Sequence, residues 1–237
     1  MALSDDIKND VQTIINTSWN KRDGQKVPET GEVALAGGAV ELEATFLYAD
    51  LSNSSKIAKE LDRRIAAKIM KSFLAATARV IRHCGGKVVS FDGDRIMGVF
   101  YGDSKNSNAA KCALQIKYIV QRVLRPKFEA KYDSVNNASF KIDHGVGVDT
   151  GTVLAVRAGA RGANDLIWID RAPNLAAKLS DIRDAPYQSF ITASVFNRLN
   201  DRSKFGGEDN KLMWESRVWT FLGQKISVYR SSWYWSP

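Results

Sequence analysis

The order of its apolar segments is the feature that most constrains how this chain can fold. The segment "AVELEATFLYAD" alternates and then becomes continuously apolar, which predicts a strand. Further along, "KVVSFDGDRIMGVFYG" holds two β-rich runs that flank Asp92, Gly93 and Asp94, a pattern typical of a hairpin. A long helix is predicted between them, ended by the glycines of "CGG". Its buried face, repeated every four residues, is predicted to consist of Ile57, Leu61, Ile65, Ile69 and Phe73.

The segments after the hairpin continue the pattern. "NSNAAKCALQIKYIVQRVL" predicts a second helix, which is expected to stop at Pro126. "SFKIDHGVGVDTGTVLAVRAG" predicts two strands that meet at Asp149, Thr150 and Gly151. "DLIWID" predicts another short strand, and "PNLAAKLSDI" a helix with Pro173 at its permissive first position. From there to the C-terminus, the sequence predicts short strands and loops.

The order strand, helix, hairpin, helix, strand is that of the split β-α-β motif. We therefore expect an α+β fold of the ferredoxin-like kind, an antiparallel sheet with helices on one face. Residues 1–38 are predicted to form an amphipathic N-terminal helix followed by a polar linker, because residues 20–38 are polar and contain glycine and proline. Residues 39–237 are predicted to form one main domain.

The composition limits the possible functions. A net charge of +8 favours an anionic partner. The basic residues are scattered and form no stripe, so we expect a polyphosphate ligand and no nucleic acid, the alternative being a merely basic surface. No apolar run approaches the ~20 residues of a membrane span, and no signal-peptide core is present, so we expect a cytoplasmic protein without a membrane partner. Two cysteines and two histidines are too few for a disulfide framework or a zinc cluster.

Two acidic residues stand at the ends of predicted neighbouring strands. Asp50 interrupts the first strand, and small polar residues follow it, including Ser54 and Ser55. A helix cap is the simpler interpretation. In the predicted sheet, however, Asp50 lies next to the hairpin turn that carries Asp94, so the two carboxylates can converge into a divalent-metal site. Ser54 and Ser55 would leave the following helix N-terminus open to phosphate oxygens.

Four segments together resemble the class III nucleotidyl cyclase domain. They are "LYADLSNSSKIA", "GGKVVSFDGDRIMGVF", "GVGVDTGTVLAVRAG" and "IWIDRAPNLAAKL", and they come in the order and spacing of that family. The resemblance implies cyclisation of a nucleoside triphosphate to a 3′,5′-cyclic monophosphate and pyrophosphate. It also implies a homodimer with sites at the interface and two Mn²⁺ or Mg²⁺ ions per site.

The resemblance also assigns roles to individual residues. Asp50, Asp94 and the backbone carbonyl of Leu51 match metal ligands. Asn174 matches the asparagine that orients the ribose. Lys178 stands where the family usually has an arginine that stabilises the transition state. Asn174 and Lys178 are four residues apart on a predicted helix, so we expect them to share one face.

The departures from the family pattern concern the base. Ser90 and Ile167 occupy the positions with which purine cyclases read their base, and neither reproduces the usual polar pair. The arginine usual before the "GVDTG" turn is replaced by Gly145. These features most resemble the pyrimidine cyclases of the Pycsar anti-phage systems, which make cyclic UMP or cyclic CMP. The resemblance implies that the product activates a separate effector protein.

The candidate nucleotide-binding residues are therefore those near the hairpin and near the first predicted strand, which carries Asp50.

We expect UTP as the preferred substrate and CTP as the second. Two of the candidates have a simpler interpretation: Tyr48 would be a core residue and Asp92 a turn residue. The alternative functions are an adenylate or guanylate cyclase, a non-catalytic nucleotide sensor and a polymerase-like palm protein. The candidate nucleotide-binding set is Phe46, Tyr48, Ser54, Ser55, Ser90, Asp92 and Arg95.

Overall fold

A computed structural model describes residues 2–160 and 162–237; Met1, with which the predicted N-terminal segment begins, and Arg161 lie outside the described residues. The helices are α1 (Leu3–Asn16), α2 (Ser54–Glu60), α3 (Arg63–His83), α4 (Lys105–Tyr118), α5 (Arg125–Lys131), α6 (Asp133–Asn136), α7 (Arg171–Ser180), α8 (Ala193–Phe196) and α9 (Asp201–Lys204). The strands are β1 (Asn20–Asp23), β2 (Gly38–Ser52), β3 (Lys87–Asp92), β4 (Arg95–Phe100), β5 (Asp143–Ala160), β6 (Ala163–Ile169), β7 (Ser189–Thr192), β8 (Phe205–Gly206), β9 (Lys211–Leu212), β10 (Glu215–Phe221) and β11 (Gln224–Ser231).

The central sheet confirms the predicted α+β fold. Within the described residues its strand order is β10-β11-β7-β5-β2-β4-β3, with β1 added to β2 and β6 added to β5. The strands β5, β2, β4 and β3 lie side by side in antiparallel pairs, which is the arrangement of the split β-α-β motif. The strands β7, β11 and β10 extend this sheet beyond β5, and β7 pairs with β5 in parallel.

The two faces of the sheet carry different helices. Leu47 and Ala49 of β2 pack with α3 and α4 in the larger apolar cluster. The alternate residues Ala44 and Phe46 pack instead with Ala172 of α7, on the opposite face. The two long helices thus lie on one face as predicted, and α7 covers the other. The side chain of every even-numbered residue of β2 near its C-terminal end, including Asp50, belongs to the α7 face.

Glycines of β5 allow α7 to approach the sheet closely. A Cβ at Gly147 would lie 2.1 Å from the carbonyl oxygen of Ala176, and one at Gly145 would lie 2.3 Å from that of Ser180. Both obstructing atoms belong to the helix backbone, which cannot give way without moving α7. These glycines therefore fix the distance between the sheet and α7.

A Gly147→Ala variant tests this packing. We expect it to lose about 1–3 kcal/mol of unfolding free energy, the usual cost of overpacking, because α7 must move outward. Gly151→Ala is the matched control in the same strand, since its Cβ would meet only the Ala172 Cβ at 3.6 Å. Urea denaturation of both variants measures the difference. Equal stability of the two would contradict the close approach.

The helical segments differ from the prediction at two places. The first predicted helix is divided: α2 ends at Glu60, Leu61 is extended, and the Asp62 carboxylate accepts a hydrogen bond from Arg64 N at 2.9 Å to cap α3. The prediction that Pro126 stops the second helix is wrong. A π-helical turn at Ile119–Leu124 links α4 to α5 without a break, and the altered hydrogen bonding of this turn accommodates Pro126, which follows shortly after it.

The prediction of two strands meeting at Asp149, Thr150 and Gly151 is also wrong. β5 runs unbroken through these residues and pairs with β2 along its length. The polar side chains find partners inside the sheet: Thr192 Oγ1 donates to the Asp149 carboxylate at 2.5 Å, and the hydroxyls of Thr45 and Thr150 lie 3.0 Å apart. These polar residues therefore remain within a continuous strand, because their side chains have hydrogen-bond partners in the protein interior.

The N-terminal segment contains the predicted amphipathic helix, and the predicted linker is partly structured. Residues Asn20–Asp23 form β1, which pairs in parallel with β2, and Val27 and Val33 are buried. No residue of α1 is buried. None of the helices described, in residues 2–160 and 162–237, is long and apolar enough to cross a membrane.

Candidate active site

The two predicted metal ligands lie at one corner of the sheet. Asp50 is on β2, where it pairs with Arg95 of β4 and Gly145 of β5. Asp94 occupies the two-residue turn between β3 and β4, next to Gly93, whose φ of +58° suits such a turn. The Leu51 N–H donates to the Asp94 carbonyl at 3.4 Å, which ties the end of β2 to the turn. The structure thus brings the two acidic residues together, as the sequence predicts.

The Asp50 carboxylate is buried and surrounded by charge. Only 8% of Asp50 is exposed. Burial raises the pKa of Asp50, Arg95 lowers it, the nearby Asp94 raises it and Arg183 lowers it. The Nε of Arg95 lies 3.3 Å from Asp50 Oδ1, and Nη2 of Arg183 donates to Oδ2. Two guanidinium groups therefore compensate a carboxylate that the fold has removed from water.

Arg183 is a site residue that the sequence analysis missed. It follows α7, and its Nη1 donates to the carbonyl oxygen of Ser180 at 2.5 Å and to that of Ile182 at 3.2 Å. A Cβ at Gly145 would lie 2.5 Å from the same Nη1. The Arg183 guanidinium therefore fills the space above position 145, where the family resemblance predicts an arginine. Gly145 could have indicated such a residue from the sequence, because the absence of the usual arginine beside a buried carboxylate suggests that another arginine takes its place.

Asn174 and Lys178 share the exposed side of α7, which confirms the predicted common face. Asn174 Nδ2 donates to the Asp170 carbonyl at 3.0 Å, and Lys178 Nζ lies 3.9 Å from the Asp181 carboxylate. Within the described residues, neither side chain forms a hydrogen bond or ion pair with Asp50 or Asp94. Asp181 also accepts from Arg95 Nη2, so Lys178 is connected to the carboxylate corner only through intermediate charges.

The candidate base-reading residues lie on the α7 face of the sheet. Tyr48 pairs with Met97 of β4, two residues from Arg95, which pairs with Asp92 of β3. Burial raises the pKa of the Tyr48 phenol, Arg95 lowers it and Asp92 raises it. Ser90 pairs with Met97 in the hairpin, two residues along the strand from the Asp92–Arg95 pair. Phe46 is completely buried and packs edge-on against Trp168, with ring centroids 5.5 Å apart. Phe46 can therefore shape this wall but presents no surface to a ligand.

Ser54 and Ser55 lie close after Asp50, whereas Ile167 lies at the other end of the sheet, because it pairs with Val156 of β5, which pairs with Ala39 of β2. Ser54 and Ser55 begin α2, and Asn53, in the left-handed region with φ of 63°, precedes them. Ile167 is on β6 and about half exposed. The roles of these residues stay predictions.

The donor set suits hard divalent cations. The described residues contain no group of three or more histidine, cysteine, aspartate or glutamate side chains that could hold a metal ion. Two carboxylates with a neighbouring backbone carbonyl are nevertheless oxygen ligands of the kind that Mg²⁺ and Mn²⁺ prefer, with the substrate phosphates and water completing the shell. The buried Asp50, with its carboxylate neighbour Asp94, fits such a site.

Relatives of known activity match the whole chain. A uridylate cyclase of Rhodovulum sp. (strain MB263) is 56% identical over 237 residues, covering 100% of this chain and 99% of that protein. The chain belongs to the uridylate cyclase family. A second member of this family, from Xanthomonas perforans, is 37% identical over 236 residues, covering 99% of each chain. No protein-family model matches the sequence.

Solved structures agree with this uridylate cyclase family assignment at the level of the fold. The crystal structure of the adenylyl cyclase CyaB from P. aeruginosa superposes with a TM-score of 0.68 at 18% identity, covering 81% of this chain and 95% of that one. The predicted class III cyclase fold is thereby confirmed. The identity to the Rhodovulum relative shows that the chain is a nucleotidyl cyclase.

Proposed function

We propose that this cyclase converts UTP to 3′,5′-cyclic UMP and pyrophosphate, with CTP as a poorer substrate. The convergence of Asp50 and Asp94 at one corner of the sheet is the observation that carries the proposal, because it supplies the acidic centre that the reaction needs. The 56% identity to a relative named as a uridylate cyclase supports UTP as the substrate.

Two Mg²⁺ or Mn²⁺ ions are proposed to bind at Asp50, Asp94 and the carbonyl of Leu51. When bound, such ions lower the pKa of the ribose 3′-hydroxyl and hold the α-phosphate for in-line attack. Lys178 neutralises charge on the reacting phosphate as a compact point charge. Asn174 fixes the ribose, and Ser54 and Ser55 contact phosphate oxygens at the start of α2. Burial of Asp50 keeps water away from one side of its carboxylate.

Selection of the base is proposed to depend on Tyr48, Asp92 and Arg95. Purine readers place polar groups at the far edge of a two-ring base, and an absent polar partner costs a large factor in discrimination. Ser90 is short, and Ile167 cannot form a hydrogen bond. A single-ring base leaves room that the Tyr48 phenol and the two charges beside it can fill.

The active unit is proposed to be a homodimer with each site shared between two chains. Asn174 and Lys178 are exposed and make no direct contact with the carboxylates of their own chain within the described residues. A second copy facing α7 would bring them to the partner's acidic corner. The solved structures with this fold include a dimeric guanylyl cyclase domain.

The product is proposed to serve as a second messenger in anti-phage defence that activates a separate effector protein. A cytoplasmic location fits a nucleoside triphosphate substrate and two cysteines that are buried and unbridged. This role follows from the resemblance to Pycsar cyclases, and the enzyme itself needs no nucleic acid or membrane for it.

Product formation from each of the four triphosphates, at equal concentration with Mn²⁺ and resolved by chromatography, tests the substrate. We expect cyclic UMP to dominate, cyclic CMP to come second and the purine products to be minor, because the pocket lacks a purine reader. Dominant cyclic AMP or cyclic GMP would overturn the pyrimidine assignment. No product from any triphosphate would favour the non-catalytic sensor.

A further inference from the structure

The two arginines at Asp50 differ in what else they can pair with. Arg95 also donates to the carboxylate of Asp181, so it keeps an acidic partner if Asp50 is engaged elsewhere. The further hydrogen-bond partners of Arg183 are neutral carbonyl oxygens of Ser180 and Ile182. Within residues 2–160 and 162–237, Asp50 is the carboxylate with which Arg183 forms an ion pair.

Arg183 occupies an oxygen of Asp50 that a divalent ion would need. Arg95 takes Oδ1 and Arg183 takes Oδ2 of a carboxylate that is almost completely buried. A cation that binds this carboxylate competes with both guanidinium groups for its oxygens and is also repelled by both. Arg95 keeps Asp181 as an acidic partner when it loses Asp50, whereas Arg183 then has no other carboxylate partner among the described residues.

The position of Arg183 limits where its charge can go. Nη1 of Arg183 donates to the carbonyl of Ser180, and the guanidinium group lies over Gly145. The guanidinium group therefore cannot move closer to the sheet. About 40% of the side chain is exposed, so it remains open to solvent. A guanidinium group released there next to bound cations needs an anion, and phosphate oxygens match its fork of donors.

We propose that Arg183 is an exchangeable counter-ion: it pairs with Asp50 when no divalent ion is bound, and with the substrate polyphosphate when the ions bind Asp50. The proposal deepens the proposed function and rests on it for the identity of the polyphosphate. Arg183 thereby supplies, from the segment after α7, the guanidinium group that is missing at Gly145.

The test compares two kinds of binding in the full-length protein. Mn²⁺ binding without nucleotide is measured from the free-ion signal in electron paramagnetic resonance. Binding of a non-hydrolysable UTP analogue in saturating Mn²⁺ is measured by calorimetry. For Arg183→Gln we expect Mn²⁺ alone to bind several-fold to about tenfold more tightly, because a repelling charge and a competitor are removed. We expect the analogue to bind about tenfold more weakly, because a charge-assisted contact is lost.

Two further variants make the result specific. Arg183→Lys keeps the charge, so its Mn²⁺ affinity should stay near that of the wild type, while analogue binding should be partly restored. Arg82→Gln on the exposed side of α3 is the matched control and should change neither affinity. Urea denaturation establishes that each variant is folded, and Arg183→Ala, which also removes the charge, takes the place of Arg183→Gln if that variant does not fold.

Opposite movement of the two affinities is the signature of an exchangeable counter-ion. Weaker or unchanged Mn²⁺ binding in a folded Arg183→Gln variant would overturn the proposal, since an arginine that only packs or orients Asp50 gives that result. The Mn²⁺ measurement needs no turnover. A wild-type protein that makes no cyclic nucleotide would therefore refute the proposed function and leave the test of Arg183 intact.

Discussion

Asp50→Ala and Asp94→Ala should each lower cyclic nucleotide formation by at least about a thousandfold, because each removes an anionic ligand from the proposed ion site. Initial rates with saturating Mn²⁺ measure the loss. The fold should persist, since Asp94 lies in a turn and burial disfavours the charged form of Asp50. Arg95 also keeps its second partner, Asp181, in the Asp50 variant.

Asp103→Ala is the control for these losses, because Asp103 is an exposed acid in the loop after β4. It should keep the wild-type rate and the wild-type urea midpoint. Near-normal turnover of Asp50→Ala and Asp94→Ala, in protein shown to be folded, would mean that the proposed ion site is in the wrong place.

Those parts of the site that depend on strand order could be predicted from the sequence. The order of strands and helices predicts the split β-α-β arrangement, in which β2 neighbours β4 and Asp50 therefore lies beside the Asp94 turn. The common face of Asn174 and Lys178 follows from helical spacing alone. In patterns of this kind, the spacing in the sequence determines the relative positions of the residues, whatever the tertiary contacts are.

Features that depend on distant partners could not be predicted in this way. Arg183 reaches Asp50 across 133 residues of sequence, and only the close approach of α7 over Gly145 brings them together. The Asp149–Gly151 signal fails because its polar groups pair with Thr45 and Thr192, which lie far away in the chain. Phe46 is a candidate nucleotide-binding residue in the sequence, yet it is completely buried, and Trp168 of β6 packs against its ring.

A complementation experiment distinguishes a site that is shared between two chains from a site that lies within one chain. Lys178, Asp181, Arg95 and Asp50 form a line of charges within one protomer, so a site completed by its own Lys178 is a definite alternative. Asp50→Ala and Lys178→Ala chains should each be inactive alone. Equal mixing with free exchange gives half heterodimers, in which one of two shared sites is intact, so about a quarter of wild-type activity should return.

A mixture of Asp50→Ala with Asp94→Ala chains is the matched control for this recovery. Both substitutions damage the acidic half of the site, so no heterodimer of these two contains an intact acidic half and activity should stay absent. Subunit exchange is followed by energy transfer between labelled chains, and turnover is measured on the same samples. If labelled subunits exchange while the Asp50→Ala and Lys178→Ala mixture stays inactive, Lys178 acts within its own chain. Its link through Asp181 and Arg95 would then be the path by which it reaches the carboxylates.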